Sequence, residues 1–353
     1  MTLKDLLKHM VDLKASDIFV IAGLPISYRI SSRHTRGDGD PLTPADTKRI
    51  VDELFELAGR SPEEFAGLGN HDEDFSFALP GVGRFRANTF RQRGSYSAVI
   101  RVIPFGLPDP KELHIPEAVL GLSRLRKGLV LVCGPSGAGK TTPLACIIDR
   151  LNHERSGHII TMEDPIEYIH RHGTCIVTQR EVPTDVATYQ EGLQSAMREA
   201  PDVILLGEMR DHETIATAVT AAEEAQLIFS TLHTTSAAGT VSRIVDAFPA
   251  VQQRQVRIQL SIVLQAVVCQ QLVPSTDGGV VPAFEIMFAN TATRNLIREQ
   301  KDYQIDSVIA SSGEGGMHTM DQDLLRLVKE GTVDKDTALR FSAHPKSLSA
   351  HFS

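Results

Sequence analysis

Residues 129–152 read LVLVCGPSGAGKTTPLACIIDRLN: an unbroken apolar run, a glycine-rich turn, and then residues at helical spacing. Few stretches restrict a fold more. The run predicts a buried strand, the glycines a tight backbone turn, and the following residues a helix that opens where the turn ends. Gly134, Pro135, Ser136, Gly137, Ala138, Gly139, Lys140 and Thr141 fit GxxxxGK[ST] without a gap, and Thr142 follows. Glycines there let backbone N–H groups face inward, where side chains would block a phosphate. Lys140 is placed to reach β- and γ-phosphates, the Thr141 hydroxyl to meet Mg²⁺, and the helix N-terminus to add positive charge. Pro143 falls in the first helical turn, where a missing N–H costs nothing, so it is expected to be tolerated.

The rest of the chain divides around this unit. GLVLVC, HIITM, DVILLG and LIFSTL are short apolar runs separated by helical segments, the pattern of strands buried on both faces of a parallel sheet. Before them, residues 1–104 predict an α+β domain on an antiparallel sheet, with strands in SDIFVIAG, ISYRI, EDFSFAL, RFRANTF and SYSAVIRVI. LTPADTKRIVDELFELA reads as a helix capped near Thr43. The proline-rich PFGLPDPKEL marks a linker over 105–113, 114–289 form the α/β core, and 290–353 are expected to be helical.

At 353 residues the chain is long for a single core. Its net charge of −8, from 36 basic and 44 acidic residues, lacks the electrostatic footprint of a nucleic-acid binder. MTLKDLLKHMVDLK has no long apolar centre, so it predicts an amphipathic helix, with Leu3, Leu6, Leu7 and Met10 on one face, rather than a signal peptide. The apolar segment VRIQLSIVLQAVVCQQLV (256–273) is broken by an arginine and glutamines. It is expected to be a buried helix rather than a membrane span, leaving membrane contact to partners. Cys133, Cys146, Cys175 and Cys269 form no CxxC pair, which argues against structural zinc and for buried thiols in a reducing cytoplasm.

Phosphoryl transfer needs acidic groups beside the phosphate cradle, to hold metal and to orient water. HIITMEDPIEY supplies Glu163, Asp164 and Glu167, and PDVILLGEMRDHET supplies Glu208 and Asp211 around Arg210. Both lie at carboxyl ends of strand candidates, where open parallel sheets gather ligands. In GRFRANTFRQRG, Arg84 and Arg86 lie two apart and share a strand face.

TMEDPIEYIH, GEMRDHETIATAVTAAE, STLHTTSAAGTVSRIVDAFP and the glycine-rich loop together resemble the secretion-type ATPases of the GspE/VirB11 superfamily, nearest to its type IV pilus retraction branch. The likeness covers nearly the whole chain. It implies a PAS-like N-terminal domain and a RecA-like P-loop ATPase domain with a helical C-terminal part. It also implies an ATP- and Mg²⁺-dependent hexameric ring at the cytoplasmic face of the inner membrane, working on a membrane-embedded pilus platform protein, with or without a paralogous retraction ATPase. By the same resemblance Glu163 activates water, Glu208 holds Mg²⁺, and Arg84, Arg86 and Arg93 sense the γ-phosphate of their own chain or a neighbour's. The sequence does not separate the two glutamate roles from their reverse. His233 matches the histidine of the family's His box, whose other histidine is replaced here by Gln226. TATRNLIREQK is similar to a C-terminal motif tied to retraction, with Thr293 in place of isoleucine. The alternative expectations are an accessory retraction ATPase or ring scaffold, then an assembly or type II secretion ATPase, whose usual four-cysteine zinc site this chain lacks.

Overall fold

The computed structural model describes residues 2–30, 33–63, 72–103, 106–313 and 315–352. The chain divides into two compact units, Met1–Gly106 and Leu107–Ser353. The first two residues of PFGLPDPKEL, 104 and 105, lie outside the described residues, and 110–114 form a turn.

The first unit is a six-stranded antiparallel sheet in the order β3-β2-β1-β6-β5-β4. Its strands are β1 (Asp17–Val20), β2 (Ser27–Ile30), β3 (Arg33–Arg36), β4 (Glu73–Leu79), β5 (Gly83–Gln92) and β6 (Ser95–Ile103). Five match sequence expectation. β3 reads RHTR and is exposed throughout, so no apolar alternation announced it. Helix Leu3–Asp12 buries Leu3, Leu6, Leu7 and Met10, the face its periodicity predicts. Helix Pro44–Leu57 opens on a Thr43/Asp46 capping box, with Pro44 in its first turn. It packs Ile50, Leu54 and Phe55 into the same core as Phe77, Phe85 and Ile100.

The second unit is built on a seven-stranded sheet in the order β13-β12-β7-β11-β10-β8-β9. The strands are β7 (Gly128–Cys133), β8 (Gly157–Glu163), β9 (Cys175–Glu181), β10 (Val203–Leu206), β11 (Leu227–Leu232), β12 (Leu264–Pro274) and β13 (Val280–Phe288). All neighbours are parallel except the β12–β13 hairpin. β7 and β11 are buried at every position because helices cover both faces. Leu129, Leu131, Ile204 and Leu206 face one apolar layer, whereas Val130, Val132, Val203 and Leu205 face the other.

The single helix expected over 256–273 is not what forms. Helix Ala250–Val263 stops, Leu264 turns extended, and the chain continues as β12. Up to Val263 the apolar residues share the run with polar ones at helical spacing. Beyond it Ala266, Val267, Val268 and Cys269 are continuous, partly β-branched and buried, and a strand slot beside β7 hides both their faces. β9 and β13 were not anticipated either. Beyond Asn290 the chain is helical as expected, and Met320, Leu324, Leu327 and Leu348 pack on Val273, Val281 and Ala283 of the β12–β13 hairpin. Among the described residues no helix is long and apolar enough to cross a membrane.

Candidate active site

At the carboxyl end of β7 the chain enters the glycine turn. Gly134 has φ +150°, and a Cβ there would lie 2.3 Å from the Gln270 carbonyl oxygen of β12. Gly137 and Gly139 also take positive φ, +79° and +76°. The turn therefore depends on glycine twice over, for conformation and for closeness to its neighbour. Pro135, Ser136 and Gly137 are exposed, whereas Ala138 and Lys140 are buried. Helix Thr141–Glu154 opens immediately after, with Pro143 buried in its first turn.

Lys140 is only 9% exposed. Its Nζ folds back and donates to the carbonyl oxygens of Gly134 (2.9 Å) and Pro135 (3.1 Å). Burial pulls its pKa down, against the opposing pull of Glu208, Cys133 and Glu167.

Two neighbouring strands bring the partners. β10 ends into Gly207, whose N–H donates to the Met162 carbonyl (2.7 Å) and whose carbonyl accepts from the Thr231 hydroxyl (2.6 Å). Those bonds fix where Glu208 emerges. From the end of β11, His233 places Nε2 2.9 Å from Glu208 Oε1 and Nδ1 3.5 Å from Lys140 Nζ. A carboxylate only accepts and an ammonium only donates, so the arrangement selects the neutral Nε2–H tautomer of His233. Arg210 Nε closes the row on Glu208 Oε2 at 2.8 Å and is raised in pKa by that bond. Lys140, His233, Glu208 and Arg210 thus form one polar line along the carboxyl edge of the sheet.

Glu163, the last residue of β8, is 6% exposed. Burial pushes its pKa up to about 7, against hydrogen bonds from the Thr161 hydroxyl, the Gln179 amide and the Glu167 backbone. Asp164 and Glu167 are exposed. Asp211 caps helix His212–Glu223, accepting from the Thr214 N–H at 2.8 Å. Thr142 Oγ1 lies 3.1 Å from the Tyr168 hydroxyl, tying the start of the loop's helix to the segment that follows Glu163.

Magnesium is fitted by this donor set. Mg²⁺ takes hard oxygen ligands, keeps several waters and arrives with phosphates. Thr141 at a helix N-terminus and Glu208 just past a strand end would offer oxygens of that kind, Glu208 by giving up its pairing with His233 or Arg210. Among the described residues no three His, Cys, Asp or Glu side chains converge into a self-sufficient metal cage.

In the first unit Arg84 and Arg86 share a face of β5, alternating with buried Phe85 and Ala87. Arg86 makes a two-pronged bond to Asp74 across the sheet, with Nε donating at 2.8 Å. Arg93 stands apart at the β5–β6 hairpin tip, where φ is +50°. The seven steps from Arg86 to Arg93 along β5 and into its hairpin turn span roughly 20 Å.

Gln226 is not at the nucleotide edge. It precedes β11 at the sheet's opposite end, where its carbonyl accepts from the Gly128 N–H at 2.9 Å. Its side-chain amide faces the end of helix His212–Glu223, and the orientation that satisfies it is the one whose nitrogen donates to the Ala221 carbonyl. In the 294–299 segment, Arg294 donates to the Ser261 (2.7 Å) and Ile262 (2.8 Å) carbonyls, satisfying the end of helix Ala250–Val263. Thr293 is fully buried and capped by Asn290, so a threonine suits that first helical turn. All four cysteines are free and buried.

The sequence matches the family model described as type II/IV secretion system protein over residues 83–322. It is 43% identical over 349 residues to the type IV pilus retraction ATPase PilT of Pseudomonas aeruginosa, covering 99% of this chain and 100% of that one. It is 39% identical to the type IV pilus ATPase PilU of the same organism, covering 96% of this chain and 88% of that one. A crystal structure of the pilus retraction motor PilT with bound ADP superposes with a TM-score of 0.91 at 44% identity, covering 99% of each chain.

Proposed function

The chain belongs to the type II/IV secretion system protein family and is an ATP hydrolase of that kind, and from that premise we propose that it is a Mg²⁺-dependent motor that powers type IV pilus retraction as a homohexameric ring. The observation that carries this reading is the polar row Lys140–His233–Glu208, with Glu163 at the end of β8 on the same sheet edge, in a chain similar to PilT from end to end. Lys140 leaves its two carbonyls to grip β- and γ-phosphates. Backbone N–H groups of the 134–142 turn, in which Pro135 has none, cradle the phosphates, and Thr141 and Glu208 would hold the metal, which would neutralise phosphate charge. Glu163 takes the proton of the attacking water. His233, hydrogen-bonded to both Lys140 and Glu208, is positioned to register the γ-phosphate and its loss. Arg84, Arg86 and Arg93 stabilise charge developing on that phosphate, in their own chain or a neighbour's.

Work follows from differential affinity. ATP favours one placement of the N-terminal domain (1–104) against the ATPase core (114–289), ADP another, and the 105–113 segment acts as the hinge. Steps around the ring then act on a platform protein in the inner membrane, from its cytoplasmic face.

The test is ATP turnover by purified protein. Lys140→Ala should abolish it, and undiminished turnover would refute the site. A second reading, an accessory ATPase working with a paralogue, draws on the 39% identity to PilU. It requires turnover or retraction to appear only when the paralogue is mixed in.

A further inference from the structure

Glu163 sits where a carboxylate should lose its charge, yet the proposed mechanism needs that charge. Its surroundings oppose that loss in part and hold the carboxylate in place. The Thr161 hydroxyl, two residues back on the same face of β8, donates to Glu163 Oε1 at 2.7 Å. From the adjacent β9, Gln179 Nε2 donates to the same oxygen at 3.3 Å and to the Tyr168 carbonyl at 2.8 Å. Gln179 Oε1 meanwhile accepts from the His170 N–H at 2.7 Å. Gln179 is thus clamped at both ends of its amide, and that fixes which atom faces Glu163. Thr161 is fully buried, so its hydroxyl has no water to turn to.

We propose that Thr161 and Gln179 are positioning residues for the reaction, aiming the Glu163 carboxylate at the attacking water by holding Oε1 in place. The proposal rests on the reading of Glu163 as the base. The two residues act on Glu163 from different strands, so the carboxylate cannot swing without breaking a bond to one of them. Gln179 does more than orient. Through the Tyr168 carbonyl it bonds the segment whose Tyr168 hydroxyl meets Thr142, which links the base to the helix that follows the phosphate loop. Other charged or titratable groups close to Glu163 are Glu167 on the following turn and Tyr189, itself beside Asp164, Glu208 and Arg210.

Hydrogen bonds to a charged group are strong enough that losing one should cost about tenfold or more in kcat. In full-length protein, Thr161→Val is expected to lower kcat by about that factor while KM for ATP and binding of a fluorescent ATP analogue stay within twofold. Thr161→Ser, which keeps the hydroxyl, should restore most of the loss. Gln179→Leu should lower kcat in the same way, and Gln179→Glu should fail to rescue. The decisive comparison is in the Glu163→Gln background, where adding Thr161→Val should change residual turnover by less than twofold. If Glu163→Gln alone turns over normally, the assignment of the base fails. If Glu163→Gln is inactive but Thr161→Val matches the parent, or lowers nucleotide affinity as much as kcat, the positioning role fails and the base survives.

Discussion

Glu163 and His170 give the folded protein opposing responses to pH. Glu163 binds its proton up to about pH 7 in the fold, against an ordinary value of 4.5. The native state therefore holds more protons than the unfolded chain between those values, and this group's contribution to stability falls as pH rises through that window. A shift of that size is worth about 3 kcal/mol. Buried His170 runs the other way: burial lowers it from 6.5 to about 4, so its contribution is complete above 6.5 and lost as pH falls towards 4. Near pH 5 the two largely offset. Glu163→Gln removes one side, so its urea-unfolding free energy should drop more between pH 7 and pH 5 than the parent's does. Parallel curves would contradict the burial argument. At this scale Lys140, Glu208 and His233 were legible because each stands in a recognisable motif, Lys140 at the start of a helix and the other two just past a strand end. Thr161 and Gln179 were not legible. A threonine inside an apolar strand looks like any β-former, and Gln179 lies on β9, whose short run of mixed polarity gives no clear period.

Elements carry the next set of consequences. The phosphate loop lies against β12, which pairs with β7 and leaves no room for a side chain at Gly134. Gly134→Ala places a Cβ against a carbonyl oxygen of β12 and should abolish nucleotide binding, measured with a fluorescent ATP analogue, even where circular dichroism is unchanged. Arg257 and Asp302 form a second fixed point, a 2.8 Å ion pair in which each side chain is 11% exposed, between helix Ala250–Val263 and the C-terminal helices. Removing one partner leaves a charge nearly out of water, so Asp302→Ala should cost about 3–5 kcal/mol of stability in denaturant titrations, and a paired Arg257→Met, Asp302→Leu exchange far less. The switch from helix to strand at Val263 escaped the sequence because apolar runs of that length suit both. Parallel pairing with β7 decides between them, and no local pattern records it. Arg294 explains part of a motif that sequence alone presented as an amphipathic helix: it caps the very helix that ends at that switch.

For the whole molecule, the sequence already contained the division into an antiparallel α+β unit and a parallel α/β unit, because alternation and continuous apolar runs are different signatures. What sequence could not place was the route from nucleotide to output. β12 borders the phosphate loop and continues into the hairpin that supports the C-terminal helices, so it joins the two by direct contact. A motor reading needs ATP gripped at Lys140 and force delivered to the pilus base. Live imaging of fluorescently labelled pili on cells producing Lys140→Ala in place of the parent chain joins the two requirements. The account predicts pili that extend and are not withdrawn, leaving cells with an excess of immobile fibres. Cells without pili, or pili that retract at the parental rate, would contradict it.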